Sequence, residues 1–193
     1  MSDWLGYSSF LESIFSYENT FYNREPRLDI QSVPEKRFGT LDYIISTDVF
    51  EHIMQPVQQA FNNVFKLLKV GGTFVFSVPY TRDLVTLEHY PDLHNFQIFS
   101  FFGKKILVNV DVKGRYRVYQ NLVFHGGEGD TLEMRVFCES DILNYLNVAG
   151  FGNICVYDQP DFSIGYYWPP LESEHECIGH LHAYIISATK GKD

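Results

Sequence analysis

Basic residues are scarce: 15 Lys and Arg stand against 24 Asp and Glu, a net charge of −9 over 193 residues. A chain so charged is not built to lie on a phosphate backbone, so nucleic acid is not expected as a partner. Long apolar runs are also lacking. None nears the ~20 residues that cross a bilayer as a helix, and the first residues do not have the basic-then-apolar layout of a signal peptide. No membrane partner is expected, and the expected location is the cytoplasm. Cysteine is sparse, with Cys138, Cys155 and Cys177 widely spaced and no CxxC pair, which fits a reduced protein and not a disulfide framework. Internal repeats, low-complexity tracts and linkers are missing as well, so residues 1–193 read as one domain. Aromatic residues, by contrast, are plentiful: 17 Phe and 13 Tyr imply a thick aromatic core, with stacking surfaces available to a pocket.

The most informative stretch is Leu41 to Tyr80. Leu41 to Ile45 is a short apolar run broken only by Asp42, the pattern of a strand buried on both faces. Ser46, Thr47 and Asp48 would sit at its C-terminal end. From Pro56, the residues Val57, Ala60, Phe61, Val64, Phe65 and Leu68 share one helical face, and Gly71-Gly72 is suited to end that helix. Thr73 to Val78 forms a second buried strand, stopped by Pro79. Strand, helix and strand of these lengths make one crossover, so the sheet is at least partly parallel. Ligands of such sheets sit outside the carboxyl ends of the strands, here Ser46 to His52 and Ser77 to Tyr80.

The wording of this stretch resembles a family. Leu-Asp-Tyr-Ile-Ile-Ser-Thr-Asp-Val-Phe-Glu-His, then a helix ending Leu-Leu-Lys-Val-Gly-Gly and a strand ending Val-Pro, looks like motifs IV and V of class I S-adenosylmethionine (SAM) methyltransferases of the type 11 kind. The resemblance implies an α/β, Rossmann-like sheet with helices on both faces. It also implies SAM as cofactor and a small-molecule or sugar-type acceptor. Asp29-Ile30 resembles motif III, which meets the adenine ring. Asp29, Ile30, Ser46, Thr47, Asp48 and Val49 are then the expected cofactor residues, with Trp4 close by. Glu25 is a candidate for the ribose hydroxyls. The family's first strand and its glycine-rich turn have no counterpart: Gly6 is the only early glycine, and one glycine makes no such turn. The expectation is a sheet lacking its first strand through N-terminal truncation.

Elsewhere, Ser2 to Phe15 reads as a capped helix with Trp4, Tyr7, Leu11, Ile14 and Phe15 inward. Tyr17–Tyr22 and Arg27–Ile30 are strand candidates. Residues 81–135 form an insertion, a cap where such enzymes recognise their acceptor. Thr81 to Phe96 reads as a loop, and two alternating runs around Lys113-Gly114 as a β-hairpin carrying Lys104, Lys105, Arg115 and Arg117. The glycine-rich 125–130 segment is a weak phosphate cradle. Ser140-Asp141 caps a further helix closed by Gly150, followed by strands at Asn153–Tyr157 and His182–Thr189, the last antiparallel by the resemblance.

Methyl transfer needs alignment above all, and a base where the acceptor is a hydroxyl. His52, Tyr80, His94 and His125 are the expected acceptor-side residues, with His52 best positioned. Asp48, Glu51 and His52 form an alternative divalent-metal set, since a similar Glu-x-x-Glu-His cluster holds metal in ubiquinone-biosynthesis and small-RNA end methyltransferases. The plainer expectation is no metal, with Asp48 on the cofactor and Glu51 favouring a helix N-terminus. His175, Cys177, His180 and His182 fit no zinc spacing. Two rival readings remain, a non-catalytic binding module on the same fold and a different Rossmann-like nucleotide binder.

Overall fold

The described chain, residues 5–125, 131–167 and 181–191 of a computed structural model, begins with α1 (Leu5–Ile14). The crossover follows: β1 (Leu41–Thr47), a 3-10 turn at Phe50–His52, α2 (Gln58–Leu67) and β2 (Leu68–Ser77), with β1 and β2 parallel. Residues of the insertion form β3 (Tyr80–Thr81), β4 (Leu87–Glu88), β5 (Asn95–Phe101), β6 (Lys104–Val110), β7 (Tyr116–Tyr119), β8 (Phe124–His125), β9 (Thr131–Leu132) and β10 (Arg135–Cys138). Then come α3 (Glu139–Ala149), β11 (Phe151–Tyr157) and β12 (Ile185–Lys190). The main sheet has the order β1-β2-β12-β11, and β12 is antiparallel to both its neighbours. This is a mixed α/β sheet. No described helix is long and apolar enough to cross a membrane.

One face of the sheet carries the core. Ile44, Phe74, Phe76, Ile186 and Ala188 are buried against Val57, Ala60, Phe61 and Val64 of the crossover helix and Ile142 and Leu146 of α3. Phe50 sits at its centre, its ring 4.7 Å from Phe61 and 5.6 Å from Phe74. Each such ring removed from water contributes on the order of 1.5–3 kcal/mol. The opposite face is half-exposed. Tyr43 and Ile45 alternate with buried Ile44 and Ser46, so β1 is not buried on both faces as its apolar run implies. The reason is thin cover: α1 reaches this face through Phe15, edge-on to Tyr43 at 5.5 Å, while Phe10 and Ile14 stay exposed and Ser8 is the buried one.

Several expected boundaries move. Residues 17–22 and 27–30 form no strands; a single bridge joins Phe21 to Arg27. Among the described residues, β1 therefore has no partner on its outer edge. Gly71-Gly72 does not end the helix. Leu68 already leaves it, its N–H on the Val64 carbonyl, and the glycines sit in a bulge where the β1–β2 register shifts. A Cβ on Gly72 would lie 2.9 Å from the Lys69 carbonyl oxygen and 3.0 Å from that of Asp42. Both are backbone atoms, so Gly72→Ala is expected to cost about 1–3 kcal/mol, read as a lower urea midpoint at constant slope. An unchanged midpoint would mean that residues 69–72 move aside freely.

The insertion holds more order than a loop and a hairpin. β6 and β7 form the expected hairpin, and β5 adds a third antiparallel strand. The hairpin's turn is tied by Asp111, whose carboxylate accepts from the Lys113 and Arg115 N–H groups. Within the segment read as loop, β3 and β4 pair with the two sides of β10. A second small core of Tyr90, Leu107, Leu132 and Met134 lies beneath. The α3 cap is Cys138, whose sulfur accepts from the Asp141 N–H, in place of Ser140. Gly150 closes that helix at φ +99° as expected.

Candidate functional site

At the carboxyl edge, β1 ends in Ser46 and Thr47 and the chain turns sharply at Asp48. Asp48 takes φ +50°, a left-handed conformation that Asp tolerates better than most residues. Its N–H donates to the Ser77 carbonyl at 3.0 Å, and the Ser77 hydroxyl donates back to its carboxylate at 3.3 Å. The ends of β1 and β2 are thus locked together. Ser46 is fully buried, and its hydroxyl has no hydrogen-bond partner. Val49 is half-buried against the core.

Asp29 and Ile30 lie in a turn that is anchored to the same region. The Asp29 carboxylate accepts from the Gln31 N–H, Asn63 of α2 donates to the Ile30 carbonyl at 2.8 Å, and Gln31 reaches the Met54 carbonyl. Asp29 and Glu25 line a cleft of about 590 Å³, and a second cleft of about 640 Å³ runs along the outer edge of β1. Neither is lined by Ser46, Thr47, Asp48 or Val49. Trp4, His175, Cys177 and His180, and the glycines after His125, lie outside the described residues.

The acceptor-side histidines separate into two groups. His52 and His125 come together, their rings 6.0 Å apart. Between them lies Glu51, with no exposed surface and neither carboxylate oxygen hydrogen-bonded. Glu51 Oε1 is 3.5 Å from His52 Nε2 and 3.5 Å from His125 Nδ1. His125 Nδ1 is also 3.5 Å from Glu133, whose other oxygen meets His89 at 3.0 Å. His94, in contrast, is exposed at the start of the β5–β6 ribbon. Tyr80 is buried on β3 beside His182 and Tyr184, where burial and the Glu139 carboxylate push its hydroxyl above the ordinary tyrosine range. Asp48 does not join Glu51 and His52; His125 does.

Charge in this cluster is strongly organised. Glu133 and then Glu51 stabilise the His125 cation and push its pKa up to about 10. Burial works against the Glu133 carboxylate, yet His125 and His89 outweigh it and hold Glu133 at about 2. Burial raises Glu51 above the ordinary carboxyl range, against the pull of His125. The Nδ1 of His52 lies 2.8 Å from the Leu132 carbonyl. A carbonyl can only accept, so Nδ1 carries the hydrogen and the neutral ring presents a lone pair at Nε2.

What holds the cluster is the segment Leu132–Arg135, clamped along the Phe50–His52 turn. Met134 N–H donates to the Glu51 carbonyl, and the Arg135 guanidinium donates to the carbonyls of Phe50 and Ile53 and to the Glu88 carboxylate. Glu133, His89 and Arg135 were not singled out from the sequence. Their signal is there: Leu-Glu-Met-Arg-Val-Phe-Cys has two opposite charges set in an apolar run, and charges there must be paired.

The stretch that resembles methyltransferase motifs III to V lies on and beside the β1–α2–β2 unit of this mixed α/β fold. Residues 19–76 match the family described as a methyltransferase domain. Solved structures that the chain is similar to include an S-adenosylmethionine-dependent methyltransferase from Clostridium acetobutylicum, 18% identical, covering 86% of this chain and 64% of that one at a TM-score of 0.42. Another, from Mesorhizobium loti, is 18% identical and covers 84% and 68% at 0.42. A Burkholderia thailandensis 1,6-didemethyltoxoflavin-N1-methyltransferase, bound to that compound and S-adenosylhomocysteine, is 12% identical and covers 86% and 49% at 0.40. This chain spans about half to two thirds of the length of these structures. No curated protein matches it.

Proposed function

We propose that this protein is a SAM-dependent methyltransferase acting on a small-molecule or sugar-type acceptor. The observation that carries the reading is the agreement between the family match over residues 19–76 and the parallel β1–α2–β2 unit built from the same stretch. Asp29, Ile30, Ser46, Thr47, Asp48 and Val49 form the cofactor side. The orphaned, buried Ser46 hydroxyl and the anchored Asp29 turn fit the adenosine end of SAM. Held by these residues, SAM would supply an electrophilic methyl carbon for the acceptor.

The chain's own work on the acceptor side is proton handling. The cluster of Glu51, His52, His125 and Glu133 stands one turn beyond β1, walled by the insertion. A hydroxyl acceptor there gives up its proton to this cluster as the new bond forms, and general-base help of this kind is worth roughly 10²–10⁴-fold. The open cleft along the outer edge of β1 supports a rival reading, a non-catalytic binding module on the same fold.

Calorimetric titration of the 193-residue chain with S-adenosylhomocysteine separates the two. The expected result is saturable binding that weakens about tenfold or more in Asp29→Ala, a loss of at least 1.4 kcal/mol. Absence of binding sinks the enzyme reading for this chain and favours the binding module.

A further inference from the structure

We propose that the outer face of the β5–β6–β7 ribbon docks on an anionic lipid surface, a property that goes beyond methyl transfer and does not rest on it. In the antiparallel register, Phe99 pairs with Ile106, Val108 with Val118, and Val110 with Tyr116. Paired residues share a face, and neighbours along a strand alternate, so these six side chains stand on one side. The other side carries the fully buried Leu107 and Asn109, and Leu107 packs with Leu132 and Met134. A sheet with one face on a core ordinarily turns polar residues to water. Here the outward block is apolar: Phe99, Tyr116 and Val118 are exposed, and Ile106, Val108 and Val110 are half-buried.

The β5–β6 turn adds an aromatic residue. Phe102 and Gly103 take φ +46° and +78°, the left-handed pair that a two-residue hairpin turn usually gives to Asn-Gly or Gly-Gly. A bulky residue in that place is sterically disfavoured, and the Phe102 side chain is fully exposed. It strains the turn without packing on the protein, which suits a contact outside the molecule.

Charge complements this face. Residues 95–120 hold five of the chain's 15 Lys and Arg against one acid, Asp111, although the whole chain carries −9. At physiological salt a charge is screened beyond roughly 8 Å, so a surface touching the ribbon feels these cations and not the distant carboxylates. Arg115 and Arg117 are engaged by Asp111 and Asp92. Lys104 and Lys113, near opposite ends of the ribbon, are exposed and have no acidic partner among the described residues. Flexible, unpaired lysines suit the diffuse charge of a bilayer, whereas a protein carboxylate is better read by a fixed arginine fork. A second copy would set the same cations against themselves. Apolar side chains framed by lysines are what peripheral proteins lay on anionic lipid. The lack of a spanning run, from which no membrane partner is expected, bears on crossing a bilayer and not on resting against one.

The test is sedimentation of the 193-residue chain with vesicles of phosphatidylcholine, alone or with about one third phosphatidylserine. The anionic vesicles are expected to bind at least ~10-fold more tightly than the neutral ones, and the difference should shrink as salt rises toward about 1 M. Lys104→Glu with Lys113→Glu should weaken anionic binding at least ~10-fold. Lys36→Glu with Lys66→Glu, the same change of charge away from the ribbon, should leave it unchanged. Phe102→Ser and Val118→Asp should each weaken it about tenfold, with urea midpoints no lower than wild type, since both side chains are exposed. No binding to anionic vesicles, equal binding to both kinds, or binding that survives the ribbon substitutions overturns the proposal. So does a concentration-dependent dimer that Val118→Asp abolishes, which assigns the face to a second copy.

Discussion

Arg135→Met is expected to destabilise the protein by about 3–5 kcal/mol, as removal of one partner from a buried ion pair does elsewhere. Arg135 is 1% exposed. Its guanidinium satisfies the carbonyls of Phe50 and Ile53 on one side and the Glu88 carboxylate on the other, at 2.7 Å. Methionine fills much of the volume but donates nothing, so the Phe50 and Ile53 carbonyls and the Glu88 carboxylate each lose a donor, Phe50 keeping the Ile53 N–H and Glu88 the Gln55 amide. Against a total stability of 5–15 kcal/mol for an ordinary domain, this is a large share. A urea titration measures it, and adding Glu88→Gln should recover part of the loss, because the stranded charge goes with it. A loss below about 0.5 kcal/mol would class Arg135 with surface residues and remove it as the clamp on the Phe50–His52 turn.

The second large effect belongs to His52. On the proposed reading, His52→Ala lowers turnover of a hydroxyl-bearing acceptor by roughly 10²–10⁴-fold, with S-adenosylhomocysteine affinity unchanged. The geometry behind this is the Leu132 carbonyl, which fixes the ring and directs Nε2 toward Glu51. Loss of cofactor affinity at unchanged turnover would move His52 to the other half of the site. His52→Gln, which keeps some polar reach, separates the loss of this nitrogen from the loss of packing in the half-buried ring.

What could be read in advance follows from what each feature depends on. The crossover from Leu41 to Ser77, the β6–β7 hairpin and the β11 and β12 strands are set by local patterning, and their periods are visible residue by residue. Gly71-Gly72 misleads because glycine serves a helix stop and a strand bulge equally well, and only the register against β1 decides between them. The candidate strands at 17–22 and 27–30 have the right composition, but a strand forms only with a neighbour to pair with. In the site, Glu51 and His52 stand out through their place after β1. Their partners come from contacts far apart in sequence, such as His89 with Glu133 at a separation of 44 and Glu51 with His125 across most of the insertion, and nothing in local sequence announces them. His94 and Tyr80 have suitable chemistry, and pairing within the insertion and on β3 carries them elsewhere.

The position of β12 has a consequence for how the chain is made. β2 is synthesised before residue 80 and β11 before residue 160, yet they are not neighbours in the sheet; β12, Ile185–Lys190, lies between them. On the ribosome both edges must wait, with Phe74 and Phe76 already in place, for a strand emitted more than a hundred residues after β2. Until then the nascent sheet is open through its middle, and such exposed edges are what chaperones hold and what aggregates grow from. Closure comes as a late, long-range event. A pause or stop in translation between residues 160 and 185 is where this protein is most vulnerable.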